Sequence, residues 1–252
     1  MRKERGLTVA ATLRTDIGKV RRQNEDAAFY DEKRAVFAVA DGMGGHLAGE
    51  VASGMAIDAV KEMAFTHPRA DTVVLRDTVK AAHEAIAQHA KMHPECAGMG
   101  TTLSVLWRAG NYAYIAHAGD SRIYRLRSGM LEQITQDHSL VEELVRAGII
   151  TKEQARIHPR RNVITRALGT DGDNEPDLLV TDIQKGDIFL LCSDGLTGMV
   201  EDEEIQKTLC ENNLESAADS LIEQALAAGG RDNVTLVLYS YPGKGVFPWS
   251  KD

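Results

Sequence analysis

The sequence predicts an α+β fold built on antiparallel sheets, and three observations carry that expectation. Short apolar or alternating runs recur along the chain, neighbouring runs are joined by turn-like segments, and helix-period stripes lie between other runs. Strands that are adjacent in sequence and can pair as hairpins belong to antiparallel sheets, whereas a doubly wound parallel sheet needs a crossover between neighbours. There is no repeat of solenoid period and no low-complexity run, and six prolines leave few forced breaks.

Taken in order, residues 8–13 form the first apolar run. Arg2, Lys3 and Arg5 precede it, but Arg14 and Asp16 close it so soon that it reads as a strand and not as a signal peptide. A strand at 35–40 follows, then a glycine-rich turn and a helix over 50–64. Leu75, Val79, Ala82 and Ile86 are spaced four, three and four, the stripe of an amphipathic helix. Residues 102–107 and 112–118 read as two strands joined by the turn Arg108-Ala109-Gly110-Asn111. Further strands are expected at 178–183, 188–192 and 234–239, with a helix marked by Ala218, Leu221, Ile222 and Ala225. Met55, Met63 and Met92 on the helical stripes are expected to fill core.

Residues 137–168 differ from the rest. Asp137-His138-Ser139-Leu140 opens a helical pattern, Gly148 and Thr151 interrupt it, and the basic His158-Pro159-Arg160-Arg161 follows. Polar, basic and poor in core anchors, this stretch is expected to leave the main body, as lids do. The remainder of 1–252 reads as a single domain with no clear linker.

Composition narrows the function. Basic and acidic residues number 29 and 37, a net charge of −8, so there is no general attraction for nucleic acid or anionic membrane. The longest uncharged stretch, 96–107, is too short to span a bilayer as a helix. Cys96, Cys192 and Cys210 are odd in number and widely spaced, which suits a reducing, cytoplasmic compartment.

Several chemistries fail on their own motifs. No P-loop occurs, and His83-Glu84 lacks the second histidine of a zincin. Thr102, Gly198 and Ser216 stand six positions after the three cysteines, where a phosphocysteine mechanism needs arginine. Gly42-Met43-Gly44-Gly45 has Leu47 in place of the third glycine of a dinucleotide fingerprint.

A repeated construction remains. Residues 36–40 run into Asp41-Gly42, and 188–193 into Asp194-Gly195; Asp232 precedes another apolar strand, and Asp120 follows one. Any one Asp-Gly suits a turn. Four aspartates at the ends of central strands would repel one another if brought together, and hard divalent cations relieve that repulsion. Mg²⁺ and Mn²⁺ prefer such oxygen ligands, and glycine beside a ligand lets backbone approach and offer its carbonyl. Arg21-Arg22, just before Glu25-Asp26 and a strand, could supply a planar fork for phosphate.

With these residues in view, the chain resembles the metal-dependent serine/threonine protein phosphatases of type 2C, the PPM family, in their bacterial form. The matching stretches are Gly18-Lys19-Val20-Arg21-Arg22-Gln23-Asn24-Glu25-Asp26, Ala40-Asp41-Gly42-Met43-Gly44-Gly45-His46, Gly98-Met99-Gly100-Thr101-Thr102, Gly119-Asp120-Ser121-Arg122, Ser193-Asp194-Gly195 and Gly229-Gly230-Arg231-Asp232-Asn233-Val234-Thr235. Each is weak alone, but six in the family's order are specific.

The resemblance implies a four-layer α-β-β-α sandwich with a flap at 137–168. It implies Asp41 as the bridge between two Mn²⁺ or Mg²⁺ ions. Asp194 and Asp232 complete the first ion, and the Gly42 carbonyl serves the second. Asp120 with Asp194 would hold a third, weaker ion. Asp26 or Glu25 lies in the outer shell, and Arg21 binds phosphate. The implied reaction is in-line attack of a metal-bridged water on phosphoserine or phosphothreonine, without a covalent phosphoenzyme. Animal members carry histidine where this chain has Met43, so the general acid is either a metal-bound water or His46. The expected partners are phosphorylated proteins and an opposing bacterial serine/threonine kinase, with the chain itself a monomer. The same centre could serve a small phosphoester, and a non-catalytic phosphoprotein-binding module is the remaining reading.

Overall fold

The computed structural model describes residues 11–44, 48–172 and 174–242. The first third holds β1 (Ala11–Asp16), β2 (Asp26–Asp31), β3 (Val36–Met43), α1 (Ala48–Thr66) and α2 (Thr72–Met92). Next come β4 (Gly100–Thr101), β5 (Leu103–Ala109), β6 (Tyr112–Ala118), β7 (Arg122–Arg127), β8 (Met130–Gln133), α3 (Leu140–Arg146) and α4 (Lys152–Arg156). The last third is β9 (Asp177–Asp182), β10 (Ile188–Cys192), α5 (Asp194–Thr197), α6 (Asp202–Glu211), α7 (Leu214–Ala227) and β11 (Val234–Ser240).

The strands form two sheets, ordered β1-β11-β10-β7-β8 and β2-β3-β5-β6-β9, with β4 on β3. Every pairing is antiparallel. Side chains alternate across each strand, and this sorts the apolar residues into three cores. Along β3, Val36, Ala38 and Ala40 face α1 and α2, while Phe37 and Val39 face the other sheet. On β10 and β11, Leu190, Cys192, Leu236 and Leu238 face α6 and α7, while Phe189, Leu191, Val237 and Tyr239 point between the sheets. Phe37 and Tyr239 stack across that gap with ring centroids 4.2 Å apart. The result is helices, sheet, sheet, helices. Strands covered on both faces read as unbroken apolar runs, which is why β3, β10 and β11 were legible.

Polar caps set the helix starts: Asp71 accepts from the Val74 N–H at 2.8 Å, and Ser139, Thr151 and Asn213 cap α3, α4 and α7 in the same way. Neither α3 nor α4 buries a residue.

Some expectations shift. The first strand continues to Asp16, past the expected end at Leu13, and residues 8–10 of the expected 8–13 lie outside the described ones. The hairpin after β5 turns on Gly110 and Asn111 alone, with Ala109 paired to Tyr112 and Gly110 at φ 63°. Met55 and Met63 pack against the first core, but Met92, at the end of α2, is 61% exposed and fills none. The β7–β8 hairpin and α6 were not anticipated. On β7 the alternation is masked by Arg122, Arg125 and Arg127, which reach Asp137, Glu132 and Asp187. Among the described residues no helix is long and apolar enough to cross a membrane.

Candidate metal centre

The predicted aspartates converge where strand ends of both sheets meet. Asp41 closes the apolar part of β3, and its direct cross-strand partner on β2 is Asp26. Asp120 sits in the turn from β6 to β7, Asp194 opens α5 after β10, and Asp232 lies just before β11.

Each position is fixed by local bonds. The Asp41 N–H donates to Thr102 Oγ1 at 2.9 Å, and its carbonyl accepts from the Thr102 N–H and the Thr101 hydroxyl, both at 2.9 Å. Thr102 Oγ1 lies 2.7 Å from Ser121 Oγ, which joins Asp41 to the residue after Asp120. Ser193 Oγ donates to Asp26 Oδ2 at 2.7 Å and accepts from the Thr235 N–H at 3.0 Å. Asn233 binds the N-terminal loop to the end of the other sheet: its Nδ2 donates to the Ile17 and Gln23 carbonyls and its Oδ1 accepts from the Glu25 N–H.

Two glycines are obligatory for closeness of backbone. A Cβ on Gly42 would lie 2.1 Å from the Gly49 carbonyl oxygen and 2.5 Å from that of Glu25. On Gly195 it would lie 1.9 Å from the Asn233 oxygen. The Asp-Gly pairs are thus packing requirements as well as turns.

Asp26, Asp41 and Asp194 keep some solvent contact, whereas Asp120 is buried. Burial, then Asp26, Asp194, Asp120 and Asp232, hold the Asp41 carboxyl well above the ordinary carboxylate range. Asp120 is raised in the same way by burial, then by Asp194 and Asp137. Burial and Asp232 push Asp194 up to about 6. Burial takes Asp26 up to about 7, against the pull of its bonds from Ser193 and Thr235. Glu25 is raised by burial, with Arg21 opposing.

So many carboxylates driven toward neutrality by one another form a site that lacks positive charge. Asp26 Oδ1 and Asp120 Oδ1 are buried without a hydrogen-bond partner, and buried oxygens of this kind need one. An all-oxygen donor set with orphaned lone pairs fits Mg²⁺ or Mn²⁺ and does not fit a thiophilic metal. Among the described residues no three of these side chains close into a ready-made cage. Hard ions that retain several waters are held by one or two carboxylates and do not require one.

Arg21 reaches the cluster from the solvent side, donating from Nη2 to Asp232 Oδ2 at 2.7 Å with its side chain 46% exposed. Its remaining donors are available to an oxyanion. A cavity of about 210 Å³ opens beside Asp120 and Asp194 and is bounded by Val145, Ala155, Arg156 and Arg161 of the 137–168 segment. Arg156 also pairs with Glu201 at 2.8 Å. His46 lies outside the described residues. Ser193, Thr102 and Ser121 support the aspartates without having been singled out from the sequence; the available signal was a hydroxyl beside a strand, after β10 for Ser193 and before β5 and β7 for Thr102 and Ser121, where a buried polar group must have a partner.

The sequence matches the family described as Protein phosphatase 2C over residues 15–234. It is 45% identical over 233 residues to serine/threonine protein phosphatase PstP of Mycobacterium tuberculosis, covering 92% of this chain and 45% of that protein, so it spans about half of PstP's length. Serine/threonine phosphatase stp of Listeria monocytogenes is 44% identical over 238 residues, covering 90% of this chain and 94% of that one. The crystal structure of the M. tuberculosis phosphatase superposes with a TM-score of 0.87 at 44% identity, covering 92% of this chain and 98% of the other. That of the PstP catalytic domain in complex with two manganese ions gives 0.84 at 43% identity, covering 91% and 96%. Sequence and backbone agree across nearly the whole chain, which belongs to the protein phosphatase 2C family.

Proposed function

We propose that this chain is a metal-dependent protein phosphatase acting on phosphoserine and phosphothreonine, and that it opposes a serine/threonine kinase. The observation that carries the reading is the cluster of strand-end carboxylates, Asp26, Asp41, Asp120 and Asp194 among them raised by burial and by neighbouring carboxylates, with Arg21 at its mouth. Family membership and the named activities of the relatives support it.

Asp41, Asp194 and Asp232, with the Gly42 carbonyl, would hold two Mn²⁺ or Mg²⁺ ions, and Asp120 with Asp194 a third. When bound, such ions lower the pKa of water toward neutrality and neutralise phosphoryl charge. Arg21, at the solvent side of the cluster beside Asp232, would offer its planar fork to the phosphoryl oxygens. Asp26, held by Ser193 opposite Asp41, orders the polar groups around the attacking water. Met43 has no proton to give, so the leaving serine or threonine oxygen must take its proton from elsewhere; His46 is one candidate. The 137–168 segment, beside the cavity next to Asp120 and Asp194, acts as a flap over the peptide flanking the phosphorylated residue.

Phosphate release from a phosphothreonine peptide tests this. Release is expected with Mn²⁺, lost in excess EDTA, and absent in Asp194→Ala. Release that persists in EDTA or in the variant would refute the assignment.

A further inference from the structure

His138 stands at the foot of the 137–168 segment with its side chain 11% exposed. Both backbone polar groups of Gly119 bond to it. The Gly119 N–H donates to His138 Nδ1 at 3.1 Å, and the Gly119 carbonyl accepts from the His138 N–H at 2.8 Å. The His138 carbonyl accepts from the Thr165 N–H at 2.8 Å. One residue therefore ties both stems of the segment to the turn that carries Asp120.

The ring is oriented from several sides. Because Nδ1 accepts, the neutral imidazole carries its proton on Nε2, which lies 3.2 Å from Asp177 Oδ2 as acceptor and 3.0 Å from Arg166 Nη1. Asp177 also accepts from Arg166 at 2.8 Å. The ring stacks on His117 at 4.8 Å, and His117 is buried and lodged between Ser104 Oγ and the Gln136 carbonyl.

Gly119 is packed closely against Thr102. Its φ is +113°, and a Cβ there would lie 2.5 Å from Thr102 Cβ and Cγ2. Thr102 is itself engaged with Asp41 and Ser121. Gly119 is joined directly to Asp120, so the two bonds from His138 act one residue from that carboxylate.

We infer that His138 is a positioning residue that couples the 137–168 segment to the Asp120 carboxylate, so that affinity for the ion held by Asp120 depends on where that segment lies. The inference rests on the reading of Asp120 as a ligand. Groups that orient ligands in this way change metal affinity more than they change fold.

Calorimetric titration of the full chain with Mn²⁺ tests it, comparing wild type with Asp120→Asn, His138→Gln and His138→Asn. Asparagine can place its amide oxygen where Nδ1 stands and keep the acceptor for Gly119; glutamine extends past that place and loses it. Asp120→Asn identifies the binding step that depends on Asp120. His138→Gln is expected to weaken that same step by roughly tenfold or more, with His138→Asn within about threefold of wild type and the other steps unchanged. A wild-type isotherm for His138→Gln overturns the coupling, as does equal loss in both variants, which marks simple packing. An unchanged isotherm for Asp120→Asn instead overturns the ligand reading, and the coupling with it. Hydrogen exchange on the unmodified chain needs no variant: Mn²⁺ should slow the Gly119 and Thr165 amides together along the Asp120-dependent step. Unchanged exchange at both would overturn the inference.

Discussion

Replacing Asp194 by asparagine tests the electrostatics of the cluster without any turnover. Its carboxyl stands at about 6 against an ordinary 3.8. Between those values the native chain keeps a proton that the unfolded chain has released. Stability is therefore lost as pH rises through the window. About two units at ~1.4 kcal/mol each gives on the order of 3 kcal/mol, present at pH 4 and gone by pH 7. Because Asp194 keeps some solvent contact, this is an upper figure.

Histidine works in the opposite sense. Burial takes His117 down to about 3, so its contribution is lost as pH falls below its unfolded value of about 6.5. The wild-type curve sums opposing slopes, and the difference between wild type and Asp194→Asn cancels the histidine part. Urea unfolding in EDTA is the assay. From pH 4 to pH 7 the stability of Asp194→Asn relative to wild type should rise by up to about 3 kcal/mol, leaving the variant the more stable at neutral pH. Excess Mn²⁺ should reverse that order, because a ligand of the native state adds its binding free energy to stability. A difference that is flat with pH, or that runs the other way, would refute the reasoning.

Asp41→Ala should abolish phosphate release from a phosphothreonine peptide while circular dichroism stays unchanged; near-normal turnover removes Asp41 from the centre. Arg21→Ala should raise the KM for the peptide by a factor corresponding to ~1.5–3 kcal/mol, the usual loss for one charge-assisted contact, and an unchanged KM and kcat would take Arg21 out of the site. Gly195→Ala places a methyl 1.9 Å from the Asn233 oxygen and should lower stability by about 1–3 kcal/mol or more; a wild-type melting temperature would contradict that packing.

The legible parts of the molecule are those whose cause is local. Both faces of β3, β10 and β11 are covered, so their sequences are largely apolar runs, and an aspartate stands at one end of each: Asp41 at the end of the β3 run, Asp194 after β10 and Asp232 before β11. The strand β7 was hidden because its arginines are satisfied by carboxylates distant in sequence, Asp137 and Asp187 among them. The ligand candidates could be read one by one as strand-end aspartates. Their supporting groups could not. Asp26 faces Asp41 only through the register of β2 on β3, and Ser193 meets Asp26 only because two sheets abut. Nothing in the neighbourhood of His138 in sequence announces that Gly119 is its partner.

In the first sheet β11 lies between β1 and β10. On the ribosome, the earliest strand of that sheet therefore waits without a neighbour until nearly all of the described chain has been made. A nascent chain that has emerged through α7 carries Asp41, Asp120 and Asp194, but it lacks Asp232, the carboxylate that Arg21 grips. The same late strand closes the sheet and delivers the last acidic group. A chain that stops at the end of α7, before β11, thus carries an open sheet and lacks the carboxylate that Arg21 grips.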